Sequence, residues 1–223
     1  MNSFIYLDIG NSNTKWKYKD EYFEVATSEF SFDKLPKLSK IWVSNVSSNF
    51  LIKRKSYISI VESQKKYKSL VNSYKEPKYL GSDRWLAMMA SYELNLGKGF
   101  IVVDIGSAVT IDLVDNSGLH SGGIIFPGLS KVRNTFEYFP SEEEINMEGT
   151  GQSTKEAWSI GTLGLVVSGI NQKIHELQHK NPNTKIYLTG GGFEDIKKFI
   201  DFPHDYHKHL VLDGLELFAS IMG

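Results

Sequence analysis

The phrase FIYLDIGNSNT begins at Phe4, and FIVVDIGSAVT begins at Phe100. Each is a short apolar strand that delivers an aspartate at its carboxyl end and turns at once on glycine. Each also opens the same local plan. In the first half FIYLDIG is followed by the alternating NTKWKYK and then EYFEVAT, with Lys19-Asp20 as the hairpin turn. In the second half GFIVVDIG is followed by TIDLVD, a turn at Asn116-Ser117-Gly118, and LHSGGIIF. Two strand-turn-strand-turn-strand units separated by about half the chain point to duplication of one supersecondary design.

The material between and after these units alternates strands and helices. KIWVSNVS reads as a buried strand and IKRKSYISIV as a basic segment running into another; SDRWLAMMASYELN reads as a helix with Ser82 as N-cap. Ser153 and Glu156 form a capping-box pattern opening a long helix with apolar positions Ala157, Ile160, Leu163, Val167, Ile170 and Ile174, stopped by Asn181-Pro182-Asn183. KIYLTGGG then predicts a strand and glycine turn, FEDIKKFI a short helix and KHLVLDG a strand. Asp213 and Glu216 predict a second capping box before a terminal helix. This alternation favours an α/β fold, with domains expected at 1–98 and 99–223.

An aspartate at a strand end, beside exposed backbone N–H groups in a glycine turn, is a place to hold a phosphate and its magnesium. Asp8 supplies charge, Gly10 lets backbone approach, and Asn11, Ser12, Asn13 and Thr14 offer short polar donors; Asp104, Gly106, Ser107 and Thr110 repeat the arrangement. The competing reading of either copy alone is an ordinary turn. A third glycine turn, Thr189 to Gly192, could lie against a base or ribose or be simple punctuation. Walker A and G-x-G-x-x-G sequences are both absent, which removes support from P-loop and Rossmann readings. In GSDR, Asp83 stands in a helix first turn, where it could merely cap or could accept a hydroxyl proton, with Arg84 beside it to pair a substrate carboxylate.

Taken in order, DIGNSNT, GSDR, DIGSAVT, SGGIIFPG and TGGG resemble the type III pantothenate kinases over nearly the whole chain. The resemblance implies the actin-like ATPase superfamily fold, two ribonuclease H-like domains with mixed sheets flanked by helices and ATP between them. It implies phosphorylation of pantothenate to 4′-phosphopantothenate, the first step of coenzyme A biosynthesis. The first phosphate motif falls on Asp8 to Lys15, with Asp8, Gly10, Asn11, Ser12, Asn13, Thr14 and Lys15 as ATP contacts. Ser107 is a further ATP contact, and Asp104 matches the position that holds a monovalent cation, potassium or ammonium; magnesium would arrive with ATP. The general base aligns with Asp83, and Tyr74, Gly81, Ser82, Asp83 and Arg84 with the pantothenate contacts. Thr154 resembles a residue that reaches substrate across a dimer interface, so a homodimer with shared active sites is expected. Ser12 and Ser107 stand where the family usually has threonine, keeping the hydroxyl. The rival readings are a phosphatase on the same fold and a nucleotide-binding regulator.

Composition limits the partners. Lys plus Arg number 25 and Asp plus Glu 26, so no overall charge recruits nucleic acid or an anionic membrane. There is no cysteine, which removes disulfides, thiolate zinc sites and cysteine nucleophiles. With no leader before Phe4 and no run of membrane-spanning length, the expected location is cytoplasmic. The basic segment 52–67 reads as a solvated strand and helix face, and the run His204, His207, His209 fits no zinc pattern. Trp158 reads as a helix-packing or dimer-interface residue.

Overall fold

The computed structural model describes residues 4–37, 40–53, 55–136, 138–139 and 147–222. Each copy of the repeated phrase starts a five-stranded sheet. The first contains β1 (Phe4–Ile9), β2 (Asn13–Tyr18), β3 (Glu21–Ala26), β4 (Lys40–Asn45) and β5 (Ile58–Ile60), in the order β3-β2-β1-β4-β5. β1, β2 and β3 are antiparallel neighbours, while β4 runs parallel to β1 and β5 parallel to β4. A small antiparallel pair follows, β6 (Lys66–Tyr67) with β7 (Leu70–Val71), and then helix α1 (Ser82–Leu94).

The second sheet repeats this plan. β8 (Phe100–Ile105), β9 (Ala108–Val114), β10 (His120–Pro127), β11 (Lys185–Thr189) and β12 (Asp205–Tyr206) lie in the order β10-β9-β8-β11-β12, with β8, β11 and β12 parallel. Its helices are α2 (Leu129–Arg133), α3 (Thr154–Lys180) and α4 (Phe193–Ile196), and helix α5 (Leu210–Met222) follows. The echo in the sequence is therefore an echo of topology: in both sheets the aspartate-bearing strand occupies the centre.

Strand alternation sets the faces. Ile5, Leu7 and Ile9 are fully buried on one side of β1, where Trp16, Phe30, Leu35, Ile41 and Val43 complete a core. Tyr6 and Asp8 share the other side. In the second sheet Ile101, Val103 and Ile105 pack with Val109 and Ile111 against Leu163, Val166, Val167, Ile170 and Ile174 of α3. The capping box forms as expected: the Ser153 hydroxyl accepts from Glu156 N–H at 3.2 Å, and the Glu156 carboxylate accepts from Gln152 N–H at 2.8 Å. Asn181 closes the helix, its N–H donating to Leu177 O. Ala157, counted in the apolar stripe, is exposed, because the stripe meets the sheet only from the second turn onward. Trp158 packs against Phe136 and Phe139, with ring centroids 5.6 and 5.2 Å apart.

The chain forms two compact units that do not follow chain order. The first comprises Met1–Gly99, Val114–Gly122 and His209–Gly223; the second comprises Phe100–Leu113 and Gly123–Lys208. Helix α5 packs on α1 and on the Tyr6 side of the first sheet, where Phe218 meets Trp42 and Glu216 pairs with Lys17 at 2.6 Å. Burial alone would depress the Lys17 ammonium, but the hydrogen bond and charge of Glu216 overcome it and hold its pKa above the usual value.

Two expectations are corrected here. KHLVLDG is not a strand before a second capping box; the helix has already begun at Leu210, and only Asp205–Tyr206 is extended. Leu210, Val211, Leu212, Leu215 and Phe218 are all buried, and the short continuous apolar run Leu210 to Leu212 cannot be told from a strand by period alone. Glu216 bonds Lys17 instead of returning to a cap. Segment 52–67 holds β5 and β6 and, among the described residues, no helix.

The α1–α5 contact depends on Gly214. A Cβ there would lie 2.0 Å from Leu86 O, so any side chain drives the helices apart. Gly214→Ala is expected to cost about 3 kcal/mol, the upper range for overpacking a core, measured by denaturant unfolding.

Candidate active site

The first DIG turn joins β1 to β2. Gly10 N–H donates to Asn13 O at 3.0 Å, and the Thr27 hydroxyl donates to Gly10 O at 2.8 Å, bracing the turn from below. Asn11, Ser12 and Asn13 are exposed at its tip. Thr14, grouped with them on sequence, instead points inward: it is 0% exposed and its hydroxyl pairs with Thr27 at 3.0 Å. Its side chain is a brace for the turn. Asn13 Nδ2 donates to Glu24 at 2.7 Å, and Lys15 Nζ stands 3.9 Å from the same carboxylate, so both are oriented by β3.

Asp8 lies directly beside Lys15 on β2 and Ser44 on β4, on one face of the sheet. Ser44 is buried and its hydroxyl shares a 3.0 Å hydrogen bond with Ser82, the first helical residue of α1. This corrects the expected cap. Gly81 occupies the N-cap position without a side-chain bond, and Ser82 is spent on joining the helix to the strand that flanks Asp8. One short chain of contacts thus brings the Asp8 turn and the GSDR segment together within the first unit.

In that segment the Ser63 hydroxyl reaches Leu80 O and Gly81 O at 2.9 and 3.2 Å, fixing the approach to the helix. Asp83 follows in the first turn, where the helix dipole favours its anion. Its Oδ1 accepts from Arg84 N–H at 2.7 Å. Arg84 is only 6% exposed, and its Nη1 donates to the Tyr74 hydroxyl at 3.1 Å. Tyr74 is held by buried Asn72, whose Oδ1 accepts from Tyr74 N–H and whose Nδ2 reaches Gln64 O and Pro77 O. The Tyr74 ring lies nearly parallel to that of His120.

Sequence reasoning missed Ser44, Ser63, Asn72 and His120. Ser44 carried a signal, a small polar residue late in the apolar KIWVSN. The others carried none, because their partners are set by loop paths. One of these paths is the 115–119 turn, where Asp115 Oδ1 accepts from Ser117 Oγ, Ser117 N–H and Leu119 N–H. The Ser117 hydroxyl, despite opposing burial, holds the Asp115 carboxyl below the usual range.

The second turn, in the second unit, is one residue shorter: Gly106 N–H donates to Ala108 O at 3.0 Å. Ser107 O accepts from Gly128 N–H at 2.9 Å, docking the start of α2 on the turn. Asp104 sits beside Thr189 in the β8–β11 register. The glycine turn that follows wraps this aspartate. Gly190 has φ +98°, and a Cβ there would lie 2.4 Å from Asp104 Oδ1 and 2.3 Å from Ile105 O; Gly192 N–H donates to Ile105 O at 2.8 Å. Gly190 is thus required by its closeness to Asp104 and Ile105, whereas Gly192 lies against Ile105 alone. Thr154 is the first residue of α3 and is exposed.

The donor set suits a nucleotide-borne cation. Asp8, one carboxylate at the end of β1, could share in holding a divalent cation whose remaining ligands are phosphate oxygens and waters. Among the described residues no group of three or more His, Asp or Glu could hold a metal by itself. Also among these, no helix is long and apolar enough to cross a membrane.

The family description of type III pantothenate kinases matches residues 17–176. A type III pantothenate kinase of Alcanivorax borkumensis is 29% identical over 242 residues, covering 97% of this chain and 98% of that protein. A crystal structure of a conserved Campylobacter jejuni protein named for the Baf family is 26% identical with a TM-score of 0.65, covering 98% of both chains. The Clostridium difficile activator of 2-hydroxyisocaproyl-CoA dehydratase, solved with ADPNP, shares the fold at 10% identity and a TM-score of 0.52, covering 99% of this chain and 95% of its own. With twin mixed sheets, with GSDR anchored beside the first DIG turn, and with the family description matching residues 17–176, the chain belongs to the type III pantothenate kinase family.

Proposed function

We propose that this chain transfers the γ-phosphoryl group of ATP to the primary 4′-hydroxyl of pantothenate, yielding 4′-phosphopantothenate and ADP and opening coenzyme A synthesis in the cytoplasm. The observation that carries the reading is the Ser44–Ser82 bond, which ties the strand beside Asp8 to the helix turn bearing Asp83 and Arg84. Asp83 accepts the hydroxyl proton as that oxygen bonds to phosphorus and the bond to the ADP oxygen breaks. Arg84, oriented by Tyr74, pairs the substrate carboxylate, with Gly81 and Ser82 completing the wall. The exposed tip at Asn11, Ser12 and Asn13, with Gly10 and Lys15, orients the nucleotide phosphates, as does Ser107. When bound, magnesium near Asp8 and potassium or ammonium near Asp104 offset phosphate charge.

A second copy completes the site through Thr154 in this reading. Exposed apolar residues on the same unit support pairing: Leu165 on α3 is 66% exposed and Ile125 on β10 is 60% exposed. The test is coupled ADP release with ATP, magnesium and potassium. ADP formation that depends on pantothenate is expected. Release without pantothenate would replace the proposal with a phosphatase, and retained ATP binding with no release would replace it with a nucleotide-binding regulator.

A further inference from the structure

His120 is fully buried at the start of β10, yet no step of the proposed reaction uses it. Its surroundings are specific. The imidazole lies parallel to the Tyr74 ring, centroids 6.2 Å apart and planes 16° apart, and its Nδ1 is 3.3 Å from the Ser73 hydroxyl. Tyr74 in turn accepts from Arg84 Nη1, and the Arg84 guanidinium carbon is 5.9 Å from the Tyr74 ring centroid. The Tyr74 backbone is fixed by Asn72, and the His120 contact adds a constraint on the ring plane that carries its hydroxyl. The strand carrying His120 is itself anchored, since Val71 N–H donates to Gly118 O in the turn just before it.

We infer that His120 is a positioning residue, setting the Tyr74 ring so that its hydroxyl aims the Arg84 guanidinium at the carboxylate of the acid substrate. The inference rests on the reading of Tyr74 and Arg84 as the carboxylate-binding wall. A buried imidazole costs more desolvation than a phenyl or leucyl group in the same space, so packing alone gives no reason for histidine here. Parallel aromatic contact and the Ser73 bond together supply one, because they lock both ring plane and rotation.

The experiment compares His120→Leu, which removes the ring, with His120→Phe, which keeps it, against the unaltered protein. His120→Leu is expected to raise KM for pantothenate about tenfold, the scale of losing one aromatic pair, with kcat and KM for ATP essentially unchanged. His120→Phe is expected to restore most of the loss. Nitrogen-15 NMR of the Arg84 guanidinium supplies a reading independent of substrate: slowed rotation in the unaltered protein and in His120→Phe, faster rotation in His120→Leu. Should His120→Leu fail to fold, His120→Gln takes its place in both measurements. A Phe variant as impaired as Leu, equal changes in both KM values, or an Arg84 signal indifferent to His120 would overturn the inference. An unaltered protein that does not phosphorylate pantothenate would overturn the proposed function instead, leaving the NMR comparison to decide the role of His120.

Discussion

An Asp83→Asn protein is expected to fold and to bind ATP normally while its kcat falls by about a thousandfold, within the usual range for losing a general base. Asparagine keeps an oxygen that accepts from Arg84 N–H, so that bond in the first turn of α1 is retained. What it loses is the ability to take a proton. Turnover in the coupled assay and ATP titration by calorimetry separate the two effects. A variant retaining more than about a tenth of the turnover would remove Asp83 from the role of base.

The second large effect belongs to Gly190. Gly190→Ala is expected to destabilise the protein by about 3 kcal/mol, combining the cost of a left-handed residue with a Cβ forced onto Asp104 and Ile105. Gly122 is the matched control. Its φ is +93°, but a Cβ there would meet nothing within 4 Å. Gly122→Ala should therefore cost only about 1–2 kcal/mol, the backbone share alone. Urea unfolding of the two variants gives the comparison, and equal losses would show that crowding on Asp104 contributes nothing. A surviving Gly190→Ala protein should also show an altered potassium dependence of turnover, whereas Gly122→Ala should not.

The sequence announced the architecture through its local signals. Asp-Ile-Gly at the end of an apolar run located both central strands, and the alternating runs after each gave the flanking hairpins. Ser153 with Glu156 located the start of α3 because a cap is a contact between near neighbours. The misses share the opposite property. Ser82 looked like a cap because serine before a helix usually is one, but its partner is Ser44, distant in sequence. Thr14 looked like a ligand donor among others of its kind, but alternation along β2 turned it toward Thr27. Helix α5 was read partly as a strand because its first turn, Leu210 to Leu212, is a continuous buried apolar run. His120 gave no local sign, since only the fold sets it against Tyr74.

Helix α5 also has a consequence for how the protein is made. The first unit takes in His209–Gly223, so the sheet that leaves the ribosome first stays without the helix that covers its Tyr6 and Trp42 side until all of the second unit has been synthesised. During that interval its apolar surface is exposed to chaperones and to other nascent chains. The second unit, by contrast, has its α3 and β11 in hand well before translation ends. Birth order and completion order are thus reversed, and the DIG turn that emerges first becomes part of a finished unit last.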